Sequence, residues 1–224
     1  MRRFLRENSL SLCFGLLFVV ALVAQALAGW AEHNNQQLAA GLATVSLGQY
    51  LTSATFAVDV TENWQSEYLQ FLLYIFLTVW LVQKGSPESK ELGKEGTESD
   101  EEQLVGRYAK PDSPRLAKRG DWRTTLFSRS LGLTMGSVFV ASWAVQAIAG
   151  WASYNEERIM QLQDPLPLLG YVGSADFWSR TLQNWQSEFL AVGSMAVLSI
   201  YLRQRGSPES KPTGSAHTST GVSG

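Results

Sequence analysis

The pentapeptide Asn63-Trp64-Gln65-Ser66-Glu67 returns letter for letter as Asn184-Trp185-Gln186-Ser187-Glu188. Two further landmarks keep the same spacing of 121 residues. Gly-Ser-Pro-Glu-Ser-Lys occupies 85–90 and again 206–211, and Gln25-Ala26-Leu27-Ala28-Gly29-Trp30 is matched by Gln146-Ala147-Ile148-Ala149-Gly150-Trp151. Self-similarity on this scale marks a chain built from two copies of one unit. Each copy must then bury its apolar face in a similar way, and the copies have to pack on one another.

Each copy holds two apolar runs. Residues 9–30 carry no charge and follow Arg2, Arg3 and Arg6. Their length suits a helix crossing about 30 Å of hydrocarbon at about 1.5 Å per residue. The equivalent run in the second copy is 128–151. The partner runs, 64–84 and 185–202, are weaker. Between 68 and 82 the first is interrupted by Gln70, and it reaches crossing length only when extended to Trp64 and Lys84. Trp30, Trp64, Trp151 and Trp185 then stand at run ends as interfacial anchors. A rival reading takes the first run as a secretory signal cleaved at Ala28, which would leave a secreted protein. The same small-residue pattern at Ala147-Ile148-Ala149-Gly150 lies in mid-chain, where no signal can be, so a retained helix is expected.

The fold class expected is all-α: an integral membrane four-helix bundle made of two parallel helical-hairpin repeats. Residues 1–90 form the first hairpin and 122–211 the second. Between them, 91–121 mixes both charge signs with Gly, Ser and Pro and reads as a flexible cytoplasmic linker, with a short helix expected near 101–108. The tail, 212–224, is expected to be disordered. Ser53 or Thr61 is expected to cap the second run, and Ser174 with Asp176 to start the fourth. Of the 18 Lys and Arg, the loops after the first and third runs hold only Arg158 and Arg180. The positive-inside rule therefore puts both termini and the linker in the cytoplasm. Both copies point the same way, unlike the inverted repeats of many transporters.

Ionisable groups near hydrocarbon are costly and mark functional candidates. Glu67 and Glu188 are the sharpest, and both also suit a structural role beside the Trp anchors. Gln25 and Gln146 lie at similar depth, and Asn63 and Asn184 extend the set toward the outer rim. These six form the candidate polar network or ion site. Gly132 and Gly136 fit a small-xxx-small helix contact, with Gly15 as a weaker partner. The hexapeptide at 85–90 and 206–211 reads as a helix stop followed by a turn-forming proline. Cys13 is a single cysteine in an apolar run and reads as a packing residue. With two histidines, no metal site and no cofactor are expected, and no nucleophile–base set is visible. A net charge of −2 gives no reason to expect nucleic acid. The expected partners are the lipid bilayer and further copies of the chain in a homo-oligomer.

The three paired motifs together resemble an uncharacterised bacterial inner-membrane family, a domain of unknown function, over nearly the whole chain. The resemblance implies a multi-pass protein of the bacterial plasma membrane and brings no catalytic residues with it. A non-enzymatic structural or envelope-stress component is the function expected. The alternative is a small channel or carrier for protons, cations or a small solute, using Glu67 and Glu188.

Overall fold

Long apolar runs free of proline favour helices, and helices are what the computed structural model contains. It describes residues 2–222, and among these there is no strand. A short α1 (Arg2–Glu7) leads into α2 (Ser9–Ala39), α3 (Leu47–Leu51) and α4 (Ala54–Trp80). A short α5 (Trp122–Ser128) leads into α6 (Ser130–Met160), α7 (Leu168–Val172) and α8 (Ala175–Tyr201). Each of α6, α7 and α8 begins and ends 121 residues after α2, α3 and α4, from Ser9 and Ser130 through to Trp80 and Tyr201.

Two helices, α2 and α6, are long and apolar enough to cross a membrane. The most apolar part of α2 is wholly unburied, and Cys13 is exposed on it rather than packed. A water-soluble helix rarely leaves its entire apolar girth uncovered. The other two long helices, α4 and α8, have the length to cross but not the same apolarity.

The expected capping serines are in place. Ser53 Oγ accepts from the Phe56 N–H at 3.2 Å and Ser174 Oγ from the Phe177 N–H at 3.3 Å, so α4 and α8 start some ten residues before their tryptophans. Both helices end earlier than the hexapeptide glycines. In each copy the chain unwinds first because its second serine captures a backbone amide: Ser89 Oγ accepts from Gln83 N–H at 2.8 Å, and Ser210 Oγ from Gln204 N–H at 2.9 Å. Across 101–108 a single 3₁₀ turn (Gly106–Tyr108) stands where a short helix was expected. Leu104 and Gly106 adopt positive φ (53° and 61°), which stops helix propagation.

The chain divides into two compact units. The first comprises residues up to 61, described from 2, together with 144–177. In it the loop after each membrane-length helix folds back onto that helix by the same bonds. Trp30 Nε1–H donates to the Val45 carbonyl at 2.7 Å, and Asn34 brackets Val45 with both amide atoms. Trp151 does the same to Leu166 at 2.7 Å, and Asn155 brackets Leu166. The following helical turn then drops a tyrosine onto the motif glycine: buried Tyr50 against Gly29, and buried Tyr171 against Gly150. His33 and Tyr154 occupy equivalent places and tilt against Tyr50 and Tyr171 at 5.6 and 5.3 Å. His33 is thus a packing ring. Thr55 and Ser153 meet hydroxyl to hydroxyl at 3.3 Å, joining the copies within this unit.

The second unit comprises 62–143 and 178–224, of which the structure describes residues to 222. In it α6 lies against α4 through small residues. Gly132 faces Phe76 and Gly136 faces Leu72, so closely at Gly132 that an added Cβ would stand 3.0 Å from the Phe76 ring. Gly15, on α2 in the first unit, has open space around it. Trp143 packs with Phe139, Trp178 and Trp185 at ring distances of 5.6, 6.3 and 5.9 Å. The C-terminal segment is pinned by Lys211, which is 1% exposed and donates to the carbonyls of Gly85, Ala216, His217 and Ser219.

Candidate functional site

On α4 the inward stripe of the second unit runs through Glu62, Gln65, Ser66 and Leu69, the three- and four-residue spacing of one helix face. Gln65 and Ser66 are completely or almost completely buried. On α8 the facing stripe runs through Arg180, Thr181, Asn184, Trp185 and Glu188. The two stripes meet in a polar seam. Trp185 Nε1–H donates to Gln65 Oε1 at 2.8 Å. Ser66 Oγ reaches Glu188 Oε1 at 3.4 Å. The Arg180 guanidinium donates to the Glu62 carboxylate at 3.2 Å, and Asn184 Nδ2 donates to the Arg180 carbonyl. The Trp185–Gln65, Ser66–Glu188 and Arg180–Glu62 bonds each join one copy to the other, while the Asn184 bond lies within α8.

The identical pentapeptides do not present identical residues. In the first copy Gln65 and Ser66 point inward while Trp64 is 40% exposed and Glu67 is exposed. In the second, Trp185 and Glu188 are half-buried while Gln186 and Ser187 are exposed. The second copy's inward residues Asn184, Trp185 and Glu188 correspond to 63, 64 and 67, whereas the first copy turns in 65, 66 and 69; at about 100° per residue this two-position shift is a rotation of about 200°, which presents nearly opposite faces. The rotation has a reason in hydrogen-bond chemistry. A symmetric seam would set like groups opposite like, Glu67 against Glu188, and like charges brought together out of water repel. Rotated, the indole donor finds an amide acceptor.

The remaining sequence candidates lie as follows. Gln146, on α6, is fully buried, whereas Gln25 at the matching place on α2 is exposed. Asn63 is exposed and Asn184 half-buried. Trp30 and Trp151 are half-buried, with their indole N–H groups committed to the loops described above.

Sequence reasoning did not single out Asn34 and Asn155, Tyr50 and Tyr171, or a carboxyl pair in the hexapeptides. The first four recur at the 121-residue spacing, which was a signal to find them by. In the carboxyl pair Glu88, from the first hexapeptide, accepts a bond from Tyr74 and stands against Glu209 of the second. The hydrogen bond to Glu88, with that neighbour's charge, pushes the Glu209 carboxyl above its ordinary value. No cluster of metal-ligating side chains occurs among the described residues.

The class of molecule defined so far is an all-helical chain with two helices fit to cross a membrane. It belongs to the family described as a domain of unknown function, DUF6766, whose profile matches residues 1–222. No curated protein and no solved structure matches it.

Proposed function

We propose that the chain is a non-enzymatic, multi-pass protein of the bacterial inner membrane: a duplicated helical hairpin whose four long helices form one bundle. Both termini and the segment between the hairpins lie in the cytoplasm, as the distribution of Lys and Arg supports. The observation that carries the reading is the seam of Gln65, Ser66, Trp185 and Glu188, in which one copy's pentapeptide is bonded to the other's. Polar bonds between helices in lipid are worth about 0.6 kcal/mol on average and up to about 1.7. A few such bonds, with the Glu62–Arg180 pair, suffice to fix which faces meet. The role is structural, in an envelope that such a bundle reinforces alone or as an oligomer.

The half-buried Glu188, bonded by Ser66 between α4 and α8, favours a second reading as a small carrier or channel for protons or cations. One experiment separates the two: Glu67→Gln with Glu188→Gln, in reconstituted vesicles and in cells. The structural reading expects no proton or cation flux in the parent protein and weakened assembly in the variant. Flux in the parent that disappears in a well-folded variant overturns it in favour of the carrier. Reporter fusions within 91–121 and after residue 222 test the threading, and opposite sidedness of the two refutes parallel hairpins.

A further inference from the structure

Between α4 and α8, within the second unit, lies a cavity of about 580 Å³. That is within the range of small-molecule sites, roughly 300–1,000 Å³. Its walls are largely apolar, with Leu73, Leu77, Phe189, Val192 and Ala196 among the lining residues. A smaller cavity of about 290 Å³ is lined in part by the same residues Gln70, Tyr74 and Glu88, and adds Glu209. The polar groups at this place have one character. Gln70 Oε1 is buried and has no hydrogen-bond partner. Tyr74 spends its proton on Glu88, which leaves its oxygen an acceptor. Glu88 and Glu209 line the smaller cavity together.

Among the described residues neither Glu88 nor Glu209 is in an ion pair. Lys90 is bound to the Gly96 carbonyl and Glu98, and Lys211 to four backbone carbonyls. Both α4 and α8 end on this side, at Trp80 and Tyr201, and helix C-termini carry partial negative charge. A buried acceptor left unpaired costs about 1–3 kcal/mol, so a donor is what the site lacks. An anion would meet carboxylates, and a purely apolar guest would leave Gln70 unsatisfied.

We propose that this cavity binds a monovalent organic cation with an apolar body, a protonated amine whose N–H groups donate to Gln70 Oε1 and to the Glu88–Glu209 pair while its hydrocarbon fills the space between α4 and α8. The site is separate from the pentapeptide seam, and its occupancy does not depend on the role proposed for that seam.

The test uses the purified full chain in lipid nanodiscs, with 4-phenylbutylammonium, 4-phenylbutanol and 4-phenylbutyrate titrated in turn by calorimetry. Partition into lipid does not saturate and is subtracted with empty discs. The expected result is saturable binding of the ammonium, with the alcohol and the carboxylate at least tenfold weaker. Glu88→Gln with Glu209→Gln weakens the ammonium tenfold or more, and Gln70→Leu weakens it severalfold. Val192→Trp, which fills the cavity and leaves every polar group in place, abolishes binding and serves as the deciding variant if the double replacement fails to fold. Equal uptake of all three probes, the mark of a hydrocarbon slot open to lipid chains, overturns the proposal. So does unchanged ammonium binding in Val192→Trp.

Discussion

Replacing Gly150 with alanine puts a methyl group where the Tyr171 hydroxyl stands, well inside van der Waals contact. The ring has nowhere to retreat. Tyr171 is completely buried, Tyr154 and Phe177 pack at 5.3 and 5.7 Å, and its hydroxyl is held toward Asp176 at 3.3 Å. Overpacking of a tight site costs about 1–3 kcal/mol, and removing a mid-helix glycine returns about 0.5–1, so Gly150→Ala should destabilise by about 1–2 kcal/mol. Tyr171→Phe alone loses one hydrogen bond to the Asp176 carboxylate, about 1.5–3 kcal/mol. In the Phe background the first atom the new methyl meets is ring Cζ at 3.1 Å, which a shift of a few tenths of an ångström relieves. Gly150→Ala should then be close to neutral, and the double-mutant cycle should give a coupling of at least about 1 kcal/mol. The assay is reversible unfolding in mixed micelles, followed by helical circular dichroism. If Gly150→Ala costs the same in both backgrounds, the glycine is not there for the tyrosine hydroxyl, and the shared design inferred for Gly29 and Tyr50 falls with it.

The other expectations concern the second unit. Trp185→Phe removes the donor to Gln65 Oε1 at a fully buried position and should cost about 1–3 kcal/mol, much of it recovered when Gln65→Leu is added; strict additivity in the same unfolding assay would deny that the two side chains are bonded. Glu209 binds its proton more tightly folded than unfolded, because its carboxyl is raised by the bond to Glu88. Its contribution is therefore full below the ordinary value of 4.5 and is lost as pH rises through the folded value. The unfolding midpoint should fall over that window and flatten in Glu209→Gln, and an unchanged pH profile in the variant would count against the Glu88–Glu209 contact. Lys211→Met should raise amide exchange at Gly221 and Gly85, whose N–H groups bond Ser86 and Thr220, while leaving α4 and α8 protected; unchanged exchange there would mean the lysine does not hold the tail.

Much of the helical frame is legible in the residues. A run without charge, a serine one residue before a helix, and a repeat that fixes corresponding ends are local signals, and Ser53, Ser174 and the two 31-residue helices follow from them. The face that each helix turns inward is not local. Gln65 and Glu67 are equally polar and two residues apart, and only the rotation of α4 against α8 decides that the first is buried and the second exposed. The Tyr74–Glu88 contact hides for a related reason. Its partners lie 14 residues apart, across a helix end that serine capture sets four residues short of where glycine alone would put it. Tryptophan spacing indicates an interface, but it does not reveal that the indoles of Trp30 and Trp151 hold the loops beside them.

The turned pentapeptides mean that the halves of this chain are no longer interchangeable words. A gene encoding residues 122–211 twice would keep both pentapeptides but put the counterpart Gln183 in the place of Glu62, and Arg180 would lose the carboxylate it now holds. Duplicated letters have thereby become a lock and its key, and a fault in either copy has no spare.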